Sequence, residues 1–228
     1  MNKNKVVLAG AGTMGASLAQ VYAQAGWDTV LWNRSAAGLE RAKSLISLNQ
    51  ATFIKEGILV EVESNAMLSR IRMTTDKADY QDAALVVESI VEKLDAKQAF
   101  WEEISALVPA EALLATNTSG LKITEIAKAC KHPERFMGQH WLNPPHLLPL
   151  CEIIAGEQTA PENVQKMRTL VKNLGKQPVV VADINGFIIN RIQFALLREA
   201  LHIVDIGAAT VEDVDTALKA GMGLRYAA

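Results

Sequence analysis

Two groups of residues in this chain have types and spacings that could do chemistry. Gly10, Gly12 and Gly15 follow the apolar run 6–9 without a spacer and open an Ala-, Leu- and Gln-rich stretch, so strand, tight turn and helix succeed one another directly. In that setting Gly10 allows the turn, Gly12 lets backbone approach a pyrophosphate, and Gly15 lets the helix pack close on the strand. The phosphates would lie at the helix N-terminus, where N–H groups and the dipole favour anions, with Thr13 and Met14 in the same cradle. A bare glycine pattern is weak. Here a strand precedes it, a helix follows, and a second strand is predicted at 29–32. The second group is His140 with Glu152. His140 ends a predicted strand just before Asn143-Pro144, at the edge where an open α/β sheet presents ligand-facing groups. Glu152, on the next strand, could accept from one ring nitrogen, fix the tautomer and stabilise the imidazolium formed when the other nitrogen takes a proton. That combination could act as a general base, whereas a histidine alone could equally be one satisfied in the core.

The elements that must position these groups alternate strand and helix through most of the chain. This argues for an α/β fold, a doubly wound Rossmann-type sheet. Strands are predicted at 71–74, 84–90, 113–115, 136–140, 150–154 and 179–182. Helices are predicted at 35–49, 94–107, 123–130 with Thr124 as cap, and 162–174 closed by Gly175, with a charged helical tract at 50–70 that looks like an insertion. After Asp183-Ile-Asn-Gly186 the composition changes. Residues 187–206 form one helical pattern that is apolar on several faces, which predicts burial on most sides. Thr210-Val-Glu-Asp213 starts a last helix, to about 220, in the manner of a capping box. The expected organisation is a dinucleotide-binding domain at 1–183 and a short, incomplete all-helical C-terminal domain at 184–228.

Composition narrows the function classes. A net charge of −2 gives no global attraction to nucleic acid or to an anionic membrane. The apolar runs are short, and the first residues lead into a strand rather than a signal region, so neither export nor membrane spanning is expected. The two cysteines, Cys130 and Cys151, fall in different elements, which fits a reducing, cytoplasmic compartment. No metal-ligand spacing is present.

Four further stretches stand out: Asn117-Thr-Ser119-Gly-Leu, Gln139-His140-Trp-Leu-Asn143-Pro144, Leu150-Cys-Glu152-Ile, and Asn185-Gly186-Phe-Ile-Ile-Asn190-Arg191. With the glycine loop, and in this order, they resemble the L-3-hydroxyacyl-CoA dehydrogenase family over nearly the whole chain. The run 143–150 and the ending Gly221-Met-Gly-Leu-Arg-Tyr226 look most like the branch that includes L-gulonate 3-dehydrogenase and lambda-crystallin. Hydroxyacyl-CoA members usually carry Met-Lys where this chain has Leu148-Pro149, so a CoA thioester and a free 3-hydroxy acid both remain open as substrate.

The resemblance implies hydride transfer between a nicotinamide dinucleotide and a 3-hydroxy group, a His140–Glu152 dyad, and Ser119 and Asn190 as polar partners of the substrate oxygen. A serine after Asn-Thr at a strand end could equally be a turn or cap residue. Glu92 and Lys97 match the family's cofactor side, as do Asn117 and Asn143; for Glu92 and Lys97 the alternative is a solvated cap. Lys43, Lys55 and Arg70 could meet a CoA phosphate or form an ordinary solvated face. His146, in the proline-rich loop, could touch substrate. The acid that commonly ends the second strand is replaced by Asn33-Arg34, so NAD is expected with tolerance of NADP. The family's helical domain is longer than the segment here and builds a two-fold dimer, so a homodimer is expected.

Overall fold

A computed structural model describes residues 4–223, arranged as two compact units, Met1–Asn185 and Gly186–Ala228. The first unit is built on an eight-stranded sheet. Its strands are β1 (Lys5–Ala9), β2 (Asp28–Trp32), β3 (Ile71–Thr74), β4 (Leu85–Glu88), β5 (Leu113–Thr116), β6 (Phe136–Trp141), β7 (Leu150–Ala155) and β8 (Gln177–Ala182). The spatial order is β3-β2-β1-β4-β5-β6-β7-β8. Every neighbouring pair is parallel except β6 and β7. The strand order reverses beside β1, and that switch point is where such sheets take up a dinucleotide.

The central strands read as continuous apolar runs because both faces are covered. One face carries α1 (Thr13–Gln24), α2 (Ala36–Lys55) and α6 (Pro161–Asn173), which bury Leu18, Tyr22, Ile46 and Met167 against Leu8, Leu31 and Ile153. Elsewhere in the unit, α4 (Leu94–Ile104) packs with α5 (Ile123–Ala127), and Trp101 of α4 meets Phe136 edge-on with ring centroids 5.0 Å apart.

The predicted break between a helix at 35–49 and a tract from 50 is absent: α2 runs through to Lys55, and α3 (Glu61–Leu68) follows. The polar Gln50, which looks like a boundary in sequence, is a buried bridge. Its amide nitrogen donates to Gln20 at 2.8 Å and its oxygen accepts from Ser64 at 2.9 Å. Thr124 is not the cap of α5. The Asp183 carboxylate takes that role, accepting from the backbone N–H groups of Ile123 (2.9 Å) and Thr124 (2.8 Å) and from the Thr124 hydroxyl (2.6 Å).

In the second unit, α7 (Ile189–Asp205) packs on α8 (Val211–Thr216) through Ala200, Val214 and Leu218, with Leu196, Ile203 and Val204 around them. The Thr210 hydroxyl caps α8 by accepting from Asp213 N–H at 3.1 Å, as predicted. Burial on most sides of α7 does not hold. Ala200 is its one buried residue among those described, while Phe194 is 70% and Leu201 61% exposed. The end of the Gly221–Tyr226 run, from 224 on, lies outside the described residues.

Candidate active site

The glycine turn has the geometry its sequence predicts. Gly10 has φ +105°, and a Cβ there would come within 2.5 Å of the Ser89 carbonyl oxygen, so β4 closes against the turn only because the side chain is missing. Gly15 is required by the turn itself: a Cβ would lie 1.8 Å from the Gly10 carbonyl oxygen. A Cβ on Gly12 would meet nothing within 4 Å, and Gly12 is the N-cap of α1 with no side-chain cap and no acidic residue in the first turn. This open backbone at a helix start fits a pyrophosphate. Beside it lies a cavity of about 410 Å³ lined by Gly10, Gly12, Trp32, Arg34, Val91 and Phe100 among others, wide enough for the adenosine end of a dinucleotide.

Glu88, which the sequence reading passed over, organises the end of β4. It is fully buried. One carboxylate oxygen accepts from Ile90 N–H (2.8 Å) and from the Lys97 ammonium (2.5 Å), the other from the Thr116 hydroxyl (2.8 Å). Its only sequence signal is an acid closing an apolar strand. Lys97 is buried too and reaches Glu92 at 3.2 Å, so its ammonium sits between two carboxylates rather than on an open surface. Glu92 in turn accepts from the Thr118 hydroxyl and from Ser119 N–H, the latter at 2.8 Å. Partial burial works to raise the Glu92 pKa, but the Thr118 hydroxyl, the Lys97 charge and the Ser119 N–H outweigh it, and the carboxyl lies below its ordinary value.

A linked series of charges thus runs from Glu88 through Lys97 and Glu92 to the backbone of Ser119, whose own side chain is exposed at the end of β5. Asn117 braces the same strand ends: its amide donates to Ser89 Oγ at 3.3 Å and its oxygen accepts from Trp141 N–H at 3.0 Å.

The dyad is set by strand register. His140 and Glu152 are directly opposed on β6 and β7, so both side chains leave the same face of the sheet. His140 Nδ1 lies 2.7 Å from Glu152 Oε2, and both residues are buried. An ionised carboxylate only accepts, so Nδ1 carries the hydrogen and Nε2 is the basic nitrogen. Their neighbours Gln139 and Cys151 face the opposite side, where Gln139 accepts from Tyr22 Oη at 2.9 Å and Cys151 packs in the core.

Asn143 follows β6 and is exposed, and the Asn143-Pro144 peptide is cis. His146 does not face the dyad. Its ring packs edge-on against Phe53 and lines a separate cavity with Gln24, Asn173 and Lys176. Asn190 stands in the first turn of α7, in the second unit.

The dinucleotide cradle at the switch point coincides with what comparison with known proteins finds. The NAD-binding domain of 3-hydroxyacyl-CoA dehydrogenase matches residues 5–184, and the C-terminal domain of the same enzyme matches 186–228. The chain belongs to the 3-hydroxyacyl-CoA dehydrogenase family. It is an oxidoreductase of that type, with NAD as cofactor.

Family members similar to it include a probable 3-hydroxybutyryl-CoA dehydrogenase of Deinococcus radiodurans, 38% identical over 93% of this chain and 76% of the relative. Another is the 5-formyl-3-hydroxy-2-methylpyridine 4-carboxylate 5-dehydrogenase of Mesorhizobium japonicum, 37% identical over 97% and 72%. Among solved structures, FadB2 of M. tuberculosis superposes with a TM-score of 0.94 at 33% identity, covering 98% of this chain and 79% of that one. Among the described residues no helix is long and apolar enough to cross a membrane.

Proposed function

We propose that this chain oxidises the 3-hydroxyl of a 3-hydroxyacyl-CoA, or reduces the matching 3-oxo group, with His140 as the proton-transfer residue. The observation that supports this most directly is the buried 2.7 Å contact between His140 and Glu152 at the carboxyl edge of the sheet. NAD, when bound, supplies the hydride acceptor. His140 Nε2 takes the hydroxyl proton as the alcohol becomes a ketone, and the imidazolium that results is held by the Glu152 carboxylate. The family resemblance gives Ser119 and Asn190 as the polar partners of the substrate oxygen. Gly10, Gly12, Thr13, Met14 and Gly15 cradle the pyrophosphate, and Asn143 contacts the nicotinamide side. Glu92 and Lys97 act on the same side through the loop that carries Ser119. In this reading 1–183 is the part that binds the dinucleotide, and 184–228 is a helical segment of its own.

A second substrate reading, a free hydroxy acid, is favoured by Leu148-Pro149 and by the 37%-identical relative whose name is that of a pyridine carboxylate dehydrogenase. The placement near L-gulonate 3-dehydrogenase belongs to this second reading. NADH formation over a series of 3-hydroxyacyl-CoAs and free 3-hydroxy acids decides between them. Turnover of CoA thioesters alone supports the first, turnover of free acids alone replaces it with the second, and none on either class refutes both.

Two further parts complete the proposal. Exposed Phe194, Leu197 and Leu201 on α7 offer an apolar face suited to an isologous contact, so the protein is a homodimer, and a monomer mass by light scattering contradicts that. The free, buried thiols of Cys130 and Cys151 fit a cytoplasmic setting, which fractionation of the cell tests directly.

A further inference from the structure

The residues just past β2 decide which dinucleotide fits. Gly10 N–H donates to the Trp32 carbonyl at 2.9 Å, which lays residues 33–35 beside the glycine turn. In a fold of this kind an acid at that point accepts from the adenosine ribose diol and repels a 2′-phosphate. Here the residue is Asn33, and its side chain is turned inward. Its amide nitrogen donates to the Ser35 carbonyl at 3.0 Å and to Ser35 Oγ at 3.3 Å, and its oxygen accepts from Ala11 N–H at 3.4 Å. Gly38 makes room for this pose, since a Cβ there would lie 2.1 Å from the Asn33 amide nitrogen. Asn33 is therefore a brace between the glycine turn and α2.

Arg34, the next residue, is exposed and is the one charged side chain among the residues lining the adenosine-sized cavity. Ser35 is the N-cap of α2, and the first turn of that helix holds no acid. A group on the ribose 2′ position would meet the Arg34 guanidinium, with the start of α2 next in the chain and no carboxylate among the cavity-lining residues. Each of these favours an anion. We propose that this chain binds NADP(H) as well as NAD(H), with Arg34 recognising the 2′-phosphate. The inference rests on the cofactor site and stands apart from the assignment of His140.

Calorimetric titration of the purified chain, with no substrate present, tests it. The probes are NADH, NADPH, 5′-AMP and 2′,5′-ADP. The expected result is NADPH within about tenfold of NADH, and 2′,5′-ADP tighter than 5′-AMP. Arg34→Ala weakens NADPH and 2′,5′-ADP by about tenfold or more and NADH by less than about twofold. Asn33→Asp acts in the same direction, by repulsion, and NADPH affinity falls more steeply with salt than NADH affinity. Wild-type NADPH binding more than about a hundredfold weaker than NADH, or equal losses for both cofactors in Arg34→Ala, overturns the proposal. Intact binding without turnover would condemn the His140 assignment and leave this inference standing.

Discussion

Replacing Glu152 by Gln removes a charge and almost nothing else, because the amide keeps the shape of the carboxyl and an oxygen that can accept from His140 Nδ1. The 2.7 Å contact is buried on both sides, so water does not screen it. A hydrogen bond to a charged group contributes about 1.5–3 kcal/mol, against about 0.5–1.5 kcal/mol for a neutral one. The difference, about 1–1.5 kcal/mol, is felt most when the ring becomes an imidazolium, which on the proposed mechanism happens in the transition state. At about 1.4 kcal/mol per tenfold, that predicts a loss of about 5- to 12-fold in kcat for alcohol oxidation. The assay is NADH formation at saturating substrate and cofactor, with NADH affinity and thermal stability measured alongside. Affinity should stay within a few-fold of wild type. An unchanged kcat would refute the claim that Glu152 stabilises the imidazolium. Parallel loss of rate, affinity and stability would show that the contact is structural.

Three other outcomes are expected. His140→Ala keeps dinucleotide affinity within a few-fold but lowers turnover by about 10² to 10⁴, and equal losses in both would mark a structural histidine. Lys97→Met leaves the buried Glu88 carboxylate without its cation and destabilises the fold by about 3–5 kcal/mol in urea unfolding; an unchanged midpoint would show that Ile90 and Thr116 suffice. At acid pH, Asp79 contributes in the depressed direction: the Arg72 guanidinium, helped by Lys5, lowers its pKa from 3.8 to about 2 against the effect of burial. Its stabilisation is thus present in full above about pH 4 and lost as pH falls toward about 2, and Arg72→Met should flatten the acid-unfolding curve in that window.

What was legible in the sequence was local. The glycine turn, the strands and the Thr210 cap depend on neighbours a few residues away, and they appear where periodicity and turn chemistry place them. Glu152 could be paired with His140 because the two fall on consecutive strands. Other features depend on partners far along the chain. The carboxylate of Asp183 caps a helix that starts sixty residues earlier, and no local pattern announces it. Gln50 reads as a helix boundary because its partners, Gln20 and Ser64, are remote. Lys97 looks like a solvated or ligand-facing charge until Glu88 is seen beneath it. The apolar faces of α7 suggest burial, yet α8 covers only one of them, and sequence does not say what meets the rest.

The antiparallel register of β6 and β7 also bears on the order in which the site comes into being. His140 and Glu152 are only 12 residues apart, so their pairing closes a short loop, whereas the cofactor pocket needs Val6 beside Leu85 and the long closure between them. Loop-closure entropy favours the near pair. Pulse-labelled amide exchange during refolding should therefore protect 137–141 and 151–155 before 85–88, and the reverse order would exclude this sequence of events. A chain partway through folding then already holds its acid–base pair and has yet to acquire the means of binding what that pair acts with.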